Sequence, residues 1–376
     1  PRGTFGLPSD VTIRYHHGMA APNDQAVMEL EQKYLAGTGR WGSLENAPKH
    51  IKRIITNTHL STNPIYPTDF TVGFVNGEND RVYIDEGDIV QKDYGSNATF
   101  VGLDKAIVPR AFSSVTGPVY QLRGYSYSMY AIEQAGLLAA LKRENEDYML
   151  FVETDQDCQD DSSLWYDYSS ESFFLFQGSG ENSQRYNLDV NELRTLILNH
   201  VGTRNPYGSA RKEFIKNLAG NYLIVDNVTG EVSGTAPTSE GYKGDILVPE
   251  FPELISEDAD NGNTFRIRNW FSFTATNLYL KISDNFPEFQ RLLNKAGLTA
   301  KAYNRYNFLS ENETYTVFAP TDSALFAIQA DTLAIPDLQR LLMLHFVQGG
   351  LIFTDASASP GYYETTRIDE RSTEFS

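Results

Sequence analysis

The feature that most narrows what this chain can fold into is a unit of sequence that returns at intervals. Near the C-terminus, Tyr315-Thr316-Val317-Phe318-Ala319-Pro320-Thr321-Asp322 reads as a short strand ended by proline and followed by a helix start. Alternating β-branched and aromatic side chains suit a half-buried pleat. Pro320 has no N–H to extend a ladder, and Thr321 or Asp322 can accept from the first free amides of a helix. Beyond Pro336, Leu338, Leu341, Leu342 and His345 fall at i, i+3, i+4 and i+7, one face of a helix.

Two earlier stretches repeat this pattern. Asp147 to Asp155 has the same strand-then-cap form, with Glu153 where Pro320 stands and Thr154-Asp155 after it. Leu193, Leu196, Ile197 and His200 then reproduce the helix face at identical spacing. A fainter copy near the N-terminus has Ala21-Pro22-Asn23 followed by Ile51 to Leu60, with His59 at the matching position. Three of the six histidines therefore occupy one repeated place, 37, 47 and 25 residues after Pro22, Glu153 and Pro320. Unequal gaps imply different loops set into one framework.

Each histidine-tipped helix is followed by strand-like segments: Arg81–Asp85 and Phe112–Leu122 in the first copy, Asn221–Asp226 and Thr264–Arg268 in the second. Period-2 alternation between Gly and Asn turns predicts half-buried antiparallel strands. The third copy reaches Gly361–Thr366, so the natural protein is expected to continue beyond Ser376. At 376 residues, about three domains fit the length. The expected division is 1–124, 125–271 and 272–376, the last incomplete.

Composition restricts the partners. A net charge of −18 opposes binding to a phosphate backbone, which needs clustered cations, so no nucleic acid is expected. It also opposes an anionic membrane surface. The single cysteine, Cys158, allows no intrachain disulfide. No apolar run is long enough for a transmembrane helix. Because residue 1 is Pro, an N-terminal segment, with a leader or lipid anchor, is expected to have been removed.

The repeated residues resemble the fasciclin domain, whose most recognisable motif is a TVFAPTD strand-turn followed by an apolar helix ending in His-Val. Thr316 to Asp322 with Leu341 to Val347 carries the match, the second copy keeps Thr154-Asp155 and His200-Val201, and the first keeps Pro22-Asn23 and His59. The resemblance implies an α+β fold of tandem domains, each a wedge-shaped β-sandwich of about seven strands with packed helices. It implies a non-catalytic adhesion protein, secreted or on a cell surface, that contacts an extracellular protein or glycan. In some animal members a Tyr-His pair is linked to receptor binding. Here Thr58, Asn199 and Leu344 precede the histidines, so that property does not carry over. The acidic, disulfide-free chain is most similar to a bacterial outer-membrane lipoprotein of this family. The alternatives are a carbohydrate-capture or carbohydrate-processing surface protein and a structural spacer.

His59, His200 and His345 could serve as ligands or bases, but lying on apolar helix stripes in separate repeats they are expected to be structural. Gly37 to Gly42 spells G-x-G-x-x-G, yet Gln25–Leu35 before it reads as a helix, so Gly37 is expected to be a helix cap. Asp155, Asp157, Asp160 and Asp161 lack the Gly and Glu of a calcium loop, and Asp258 to Asn263 suits a hairpin turn. No nucleophile motif occurs, and neither cofactor nor metal is expected. The insertion from Cys158 to Tyr186 is the candidate binding loop, with Trp165, Tyr166, Tyr168, Phe173, Phe174 and Phe176 among Asp, Ser and Gly. Alternatively Phe173 to Phe176 form an extra strand whose aromatics pack inward.

Overall fold

In the computed structural model, residues 16–37, 40–155, 164–177, 184–235, 252–268, 270–273, 277–310, 313–349, 351–353 and 361–367 are described. The first repeat opens with β1 (His17–Pro22), stopped by its proline. It leads into α1 (Asp24–Glu31), whose Asn23 cap accepts from the Ala26 N–H at 2.8 Å. The helix runs on as a π-helical turn over Gln32–Ala36. After α2 (Lys49–Thr58) come β2 (Leu60–Ser61), α3 (Pro67–Val72), β3 (Phe74–Val75), β4 (Arg81–Val82), β5 (Ile89–Tyr94) and β6 (Ala98–Leu103). The sheet order is β2-β1-β6-β5, with β1 and β6 parallel and the other pairs antiparallel. The strands β3 and β4 form a separate hairpin.

The helices α4 (Arg110–Ser113) and α5 (Gly117–Gln121) lead into the second repeat, which opens with α6 (Ser126–Gln134) and α7 (Leu138–Leu141). Then come β7 (Tyr148–Val152), an inserted sheet of β8 (Leu164–Asp167), β9 (Ser172–Gln177) and β10 (Gln184–Leu188), and α8 (Val190–Asn199). It ends with β11 (Val201–Gly202), β12 (Lys212–Lys216), β13 (Tyr222–Asp226), β14 (Val232–Ser233), β15 (Glu253–Ala259) and β16 (Gly262–Arg266). The order β11-β7-β16-β15, again with one parallel pair (β7 and β16), reproduces the first sheet. With the sheet β12-β13-β14 it makes seven strands around one core.

The third repeat comprises α9 (Leu278–Asn285), α10 (Pro287–Lys295), β17 (Thr299–Ala300), β18 (Arg305–Tyr306), β19 (Tyr315–Val317), α11 (Asp322–Ala327), α12 (Ile335–Met343) and β20 (Phe346–Gln348). The pairing of β19 with β20 is the counterpart of β1 with β2 and of β7 with β11. The fold is thus α+β, with several sheets and helices built on a returning plan.

Among the described residues three apolar clusters lie within it. Ala20, Ile65, Phe70, Val101 and Leu103 fill the first sheet's interior, and Phe289, Leu292, Leu338, Leu342 and Phe346 fill the third repeat. The largest cluster spans Leu30 to Phe271 and takes in the apolar faces of α1 and α2, so those helices are covered by residues of the second repeat.

One local expectation is corrected. Phe112–Leu122 is not a strand but α4 and α5. Residues 114–120 are buried without a gap, so there is no polar face to set a period, and such a run reads alike as strand or helix. Pro118 lies in the first turn of α5, where its missing N–H costs nothing. Gly37 does close a helix, but its φ of −62° is right-handed, and its N–H donates to Gln32 O, completing the π-turn. In the segment 361–366 only Thr365 bridges to a strand, at Val347.

The hairpin turn expected at Asp258–Asn263 is present between β15 and β16. Asn261 at its tip accepts from the Val115 N–H at 2.8 Å and donates to Leu141 O and Arg143 O. Gly262 follows at φ +133°, where a Cβ would overlap the Tyr148 backbone. Asn261→Ala leaves the buried Val115 N–H and Leu141 O without this partner and should lower unfolding free energy by about 2 kcal/mol, read from the urea midpoint.

Candidate functional site

The three repeated histidines occupy equivalent positions. The N–H two residues before Pro22, Glu153 or Pro320 donates to the histidine carbonyl in each copy: Ala20 to His59 at 2.9 Å, Phe151 to His200 at 2.9 Å, Phe318 to His345 at 3.0 Å. One residue beyond each histidine, the carbonyls of Leu60, Val201 and Phe346 accept from Gly77, Leu218 and Thr366. The rings act as struts. The Nδ1–H of His59 donates to Ile55 O at 2.8 Å and its Nε2 accepts from the Ile107 N–H at 3.0 Å. For His200 the partners are Leu196 O at 2.7 Å and the Phe271 N–H at 2.6 Å, with the Phe271 ring stacked on the imidazole. Burial pushes the His200 pKa down to about 3 and lowers those of His59 and His345. A neutral imidazole with both nitrogens bonded to backbone, as in His59 and His200, has neither a proton to give nor a lone pair for a metal.

The caps diverge between copies. Asn23 and Thr321 cap the helices that follow them. In the second copy an inserted sheet replaces that helix, and the Asp155 carboxylate instead accepts from the Ser126 and Tyr127 N–H groups at the start of α6. Glu153, at the proline position, accepts from the Leu164 N–H and so anchors the inserted sheet.

A further feature is repeated beside the histidines. Asn76 Oδ1 accepts from the N–H groups of Glu78 and Asp80, and Asn217 Oδ1 from those of Ala219 and Asn221. Nine residues on, Asp85 and Asp226 each cap a turn through Gly87 and Val228. Both asparagines stand 17 residues after their histidine, a spacing visible in the sequence.

The aromatic insertion forms the sheet β10-β9-β8, with Trp165 opposite Phe174 and Tyr166 opposite Phe173. Alternation divides the candidate residues between two faces. Phe173 is buried, and Tyr166 packs on it at 4.7 Å between ring centres. Two residues from α6 join them: Tyr130 lies 5.2 Å from Tyr166, and Tyr127 lies 5.9 Å from Trp165. Trp165 is 37% exposed and Tyr168, just past the strand, 61%. On the face of Trp165 the Arg185 guanidinium lies 3.4 Å from the Phe174 ring centre and pairs with Asp167 at 3.4 Å. Phe176 is in β9, but its side chain lies outside the described residues. Phe173 packs inward, Trp165 and Phe174 lie on the opposite face, and Tyr168, though exposed, packs at the edge on Tyr166 at 5.0 Å.

Hydrogen bonds from Ser169 and Ser170 hold the Asp167 carboxyl down to about 2, whereas burial and neighbouring tyrosines push Tyr168 up to about 12. At neutral pH the patch therefore presents a fixed carboxylate, a guanidinium and uncharged phenols. It is equipped to stack and hydrogen-bond, and it holds no nucleophile paired with a base. Cys158, Asp157, Asp160 and Asp161 lie outside the described residues. Among the described residues no His, Cys, Asp and Glu cluster could hold a metal ion, and no helix is long and apolar enough to cross a membrane.

No curated protein matches the chain. Among solved structures, a FAS1 domain pair from the insect cell adhesion molecule fasciclin I aligns at 11% identity over 68% of this chain and 88% of that one. Its TM-score of 0.23 is too low to bear on the fold. The fasciclin domain model matches residues 284–373, from the end of α9 past Thr366. That segment contains Pro320, Thr321, Asp322 and His345 in the arrangement described above, and over residues 284–373 the chain matches the fasciclin domain.

Proposed function

We propose that the chain is a non-catalytic adhesion protein, secreted or held at a cell surface, that contacts an extracellular protein or glycan through the outer face of the inserted sheet. In this reading the chain comprises three domains, 1–124, 125–271 and 272–376, and the first and third serve as framework. The observation that carries it is the exposure of Trp165 and Tyr168 beside the packed rings of Tyr166 and Phe173, with α6 alongside. Rigid aromatics beside an Arg–carboxylate pair are the residue types that dominate binding energy at interfaces. The fasciclin match over the third repeat supports an adhesive role, and the −18 charge favours partners that are neutral or basic.

The test is to apply the purified chain to a glycan array and to immobilised matrix proteins. Binding is expected to at least one, and Trp165→Ala with Tyr168→Ala should weaken it about thirtyfold or more, the loss of ~2 kcal/mol typical of a central aromatic. Silence on every surface, or full binding by the double variant, would refute the reading.

A further inference from the structure

A second site lies away from the aromatic patch, where the end of the first helix meets the second repeat. A cavity of about 350 Å³ is bounded there by the π-helical turn after α1, by α4 and α5, and by β15. That volume falls at the small end of ligand pockets, which run from about 300 to 1,000 Å³.

Three breaks in regular backbone converge on its walls. The π-turn Gln32–Ala36 carries Lys33 and Tyr34. The interruption between α4 and α5 supplies Ser114, next to Ser113 at the end of α4. On the third side β15 loses register with β16 twice, between Leu254 and Ser256 and again between Ser256 and Ala259, and Ile255, Ser256 and Ala259 line the cavity. Single π-turns and strand bulges each cost regular hydrogen bonds and are found disproportionately at functional sites, where they re-aim side chains. One such irregularity is ordinary, whereas three around one cavity need a common reason.

The lining chemistry selects the ligand. Tyr34 and Phe112, with ring centres 6.0 Å apart, give an aromatic wall. The hydroxyls of Ser113 and Ser256, the Gln121 amide, the Asp260 carboxylate and the Lys33 ammonium add both donors and acceptors. Asp260 and the overall negative charge disfavour an anion, and Lys33 disfavours a simple cation. What remains is a small, uncharged, hydroxyl-rich ring whose C–H face lies on an aromatic. We propose that this cavity binds one neutral sugar residue. It does so without help from the Trp165 patch, so the two sites stand or fall separately.

The experiment is saturation-transfer NMR and calorimetry on the full chain with glucose, galactose, mannose and N-acetylglucosamine, and with glycine and phenylalanine as zwitterionic probes. At least one sugar should bind. Ala259→Trp, which fills the cavity, should abolish binding, and Asp260→Ala should weaken it at least tenfold with the unfolding midpoint unchanged. The latter variant keeps the test decisive if the tryptophan disturbs β15. Trp165→Ala with Tyr168→Ala should bind the sugar as the native chain does. A response to the amino acids alone would overturn the ligand class. No response to any probe, or full sugar binding by Asp260→Ala and Ala259→Trp, would overturn the site.

Discussion

His200→Ala should lower the unfolding free energy by about 4 kcal/mol at pH 7, because the deletion opens a cavity beside Phe271 and strands the buried Phe271 N–H and the part-buried Leu196 carbonyl. The ring is fully buried, and its two bonds tie Leu196 at the end of α8 to Phe271 beyond β16. The same residue makes stability depend on pH. An unfolded imidazole titrates near 6.5, whereas burial holds this one at about 3. Between those values the unfolded chain binds the extra proton, so acid favours unfolding. The contribution is complete above about pH 6.5 and is lost as pH falls toward 3, at up to ~1.4 kcal/mol per unit. Burial shifts His59 and His345 the same way, and they should steepen the acid slope. Urea midpoints at pH 7 and pH 5 check this: the native chain should lose more stability between them than His200→Ala does. Equal losses would show that the imidazole does not titrate on unfolding.

Asp80→Ala should cost a similar amount for a different reason. The Lys142 ammonium, between the second repeat's helices and β7, reaches into the first repeat's β3–β4 turn, 2.8 Å from the Asp80 carboxylate and 2.9 Å from Glu78 O. The two side chains are only 6% and 8% exposed. Removing the carboxylate leaves a buried, unpaired cation, a change that typically costs about 3–5 kcal/mol. Replacing both partners together, Asp80→Leu with Lys142→Met, removes the charge along with its partner and should lie within roughly 1 kcal/mol of the native chain. Denaturation of Asp80→Leu, of Lys142→Met and of the double variant closes the cycle. A double variant as unstable as Asp80→Ala would mean that packing, not charge, sets the cost. In the second repeat Asn221 occupies the place of Asp80 and donates to Asn199 instead, so this ion pair is a local addition to a shared turn.

The local chain determined what depends only on neighbours in sequence. Pro22 and Pro320 end strands because they lack an N–H, Asn23 and Thr321 cap the helices they precede, and the i, i+3, i+4, i+7 rows of α8 and α12 place His200 and His345 on apolar faces. The turns at Asn76 and Asn217 were equally legible, through their shared distance from the preceding histidine. Tertiary structure decided the rest, because each remaining choice depended on a group far away in the chain. Residues 112–122 became helical inside a core that buries both faces, where period carries no signal. Asp155 turned from its own strand's successor to cap α6, since an inserted sheet occupied the usual place. Lys142 found Asp80 across 62 residues, and Lys33, Ser113 and Ser256 met around one cavity from three separate elements. Hydrogen-bond capping and helical periodicity act within a few residues, and so can be read along a string. Burial and charge pairing act through space, and become definite only when the chain has closed on itself.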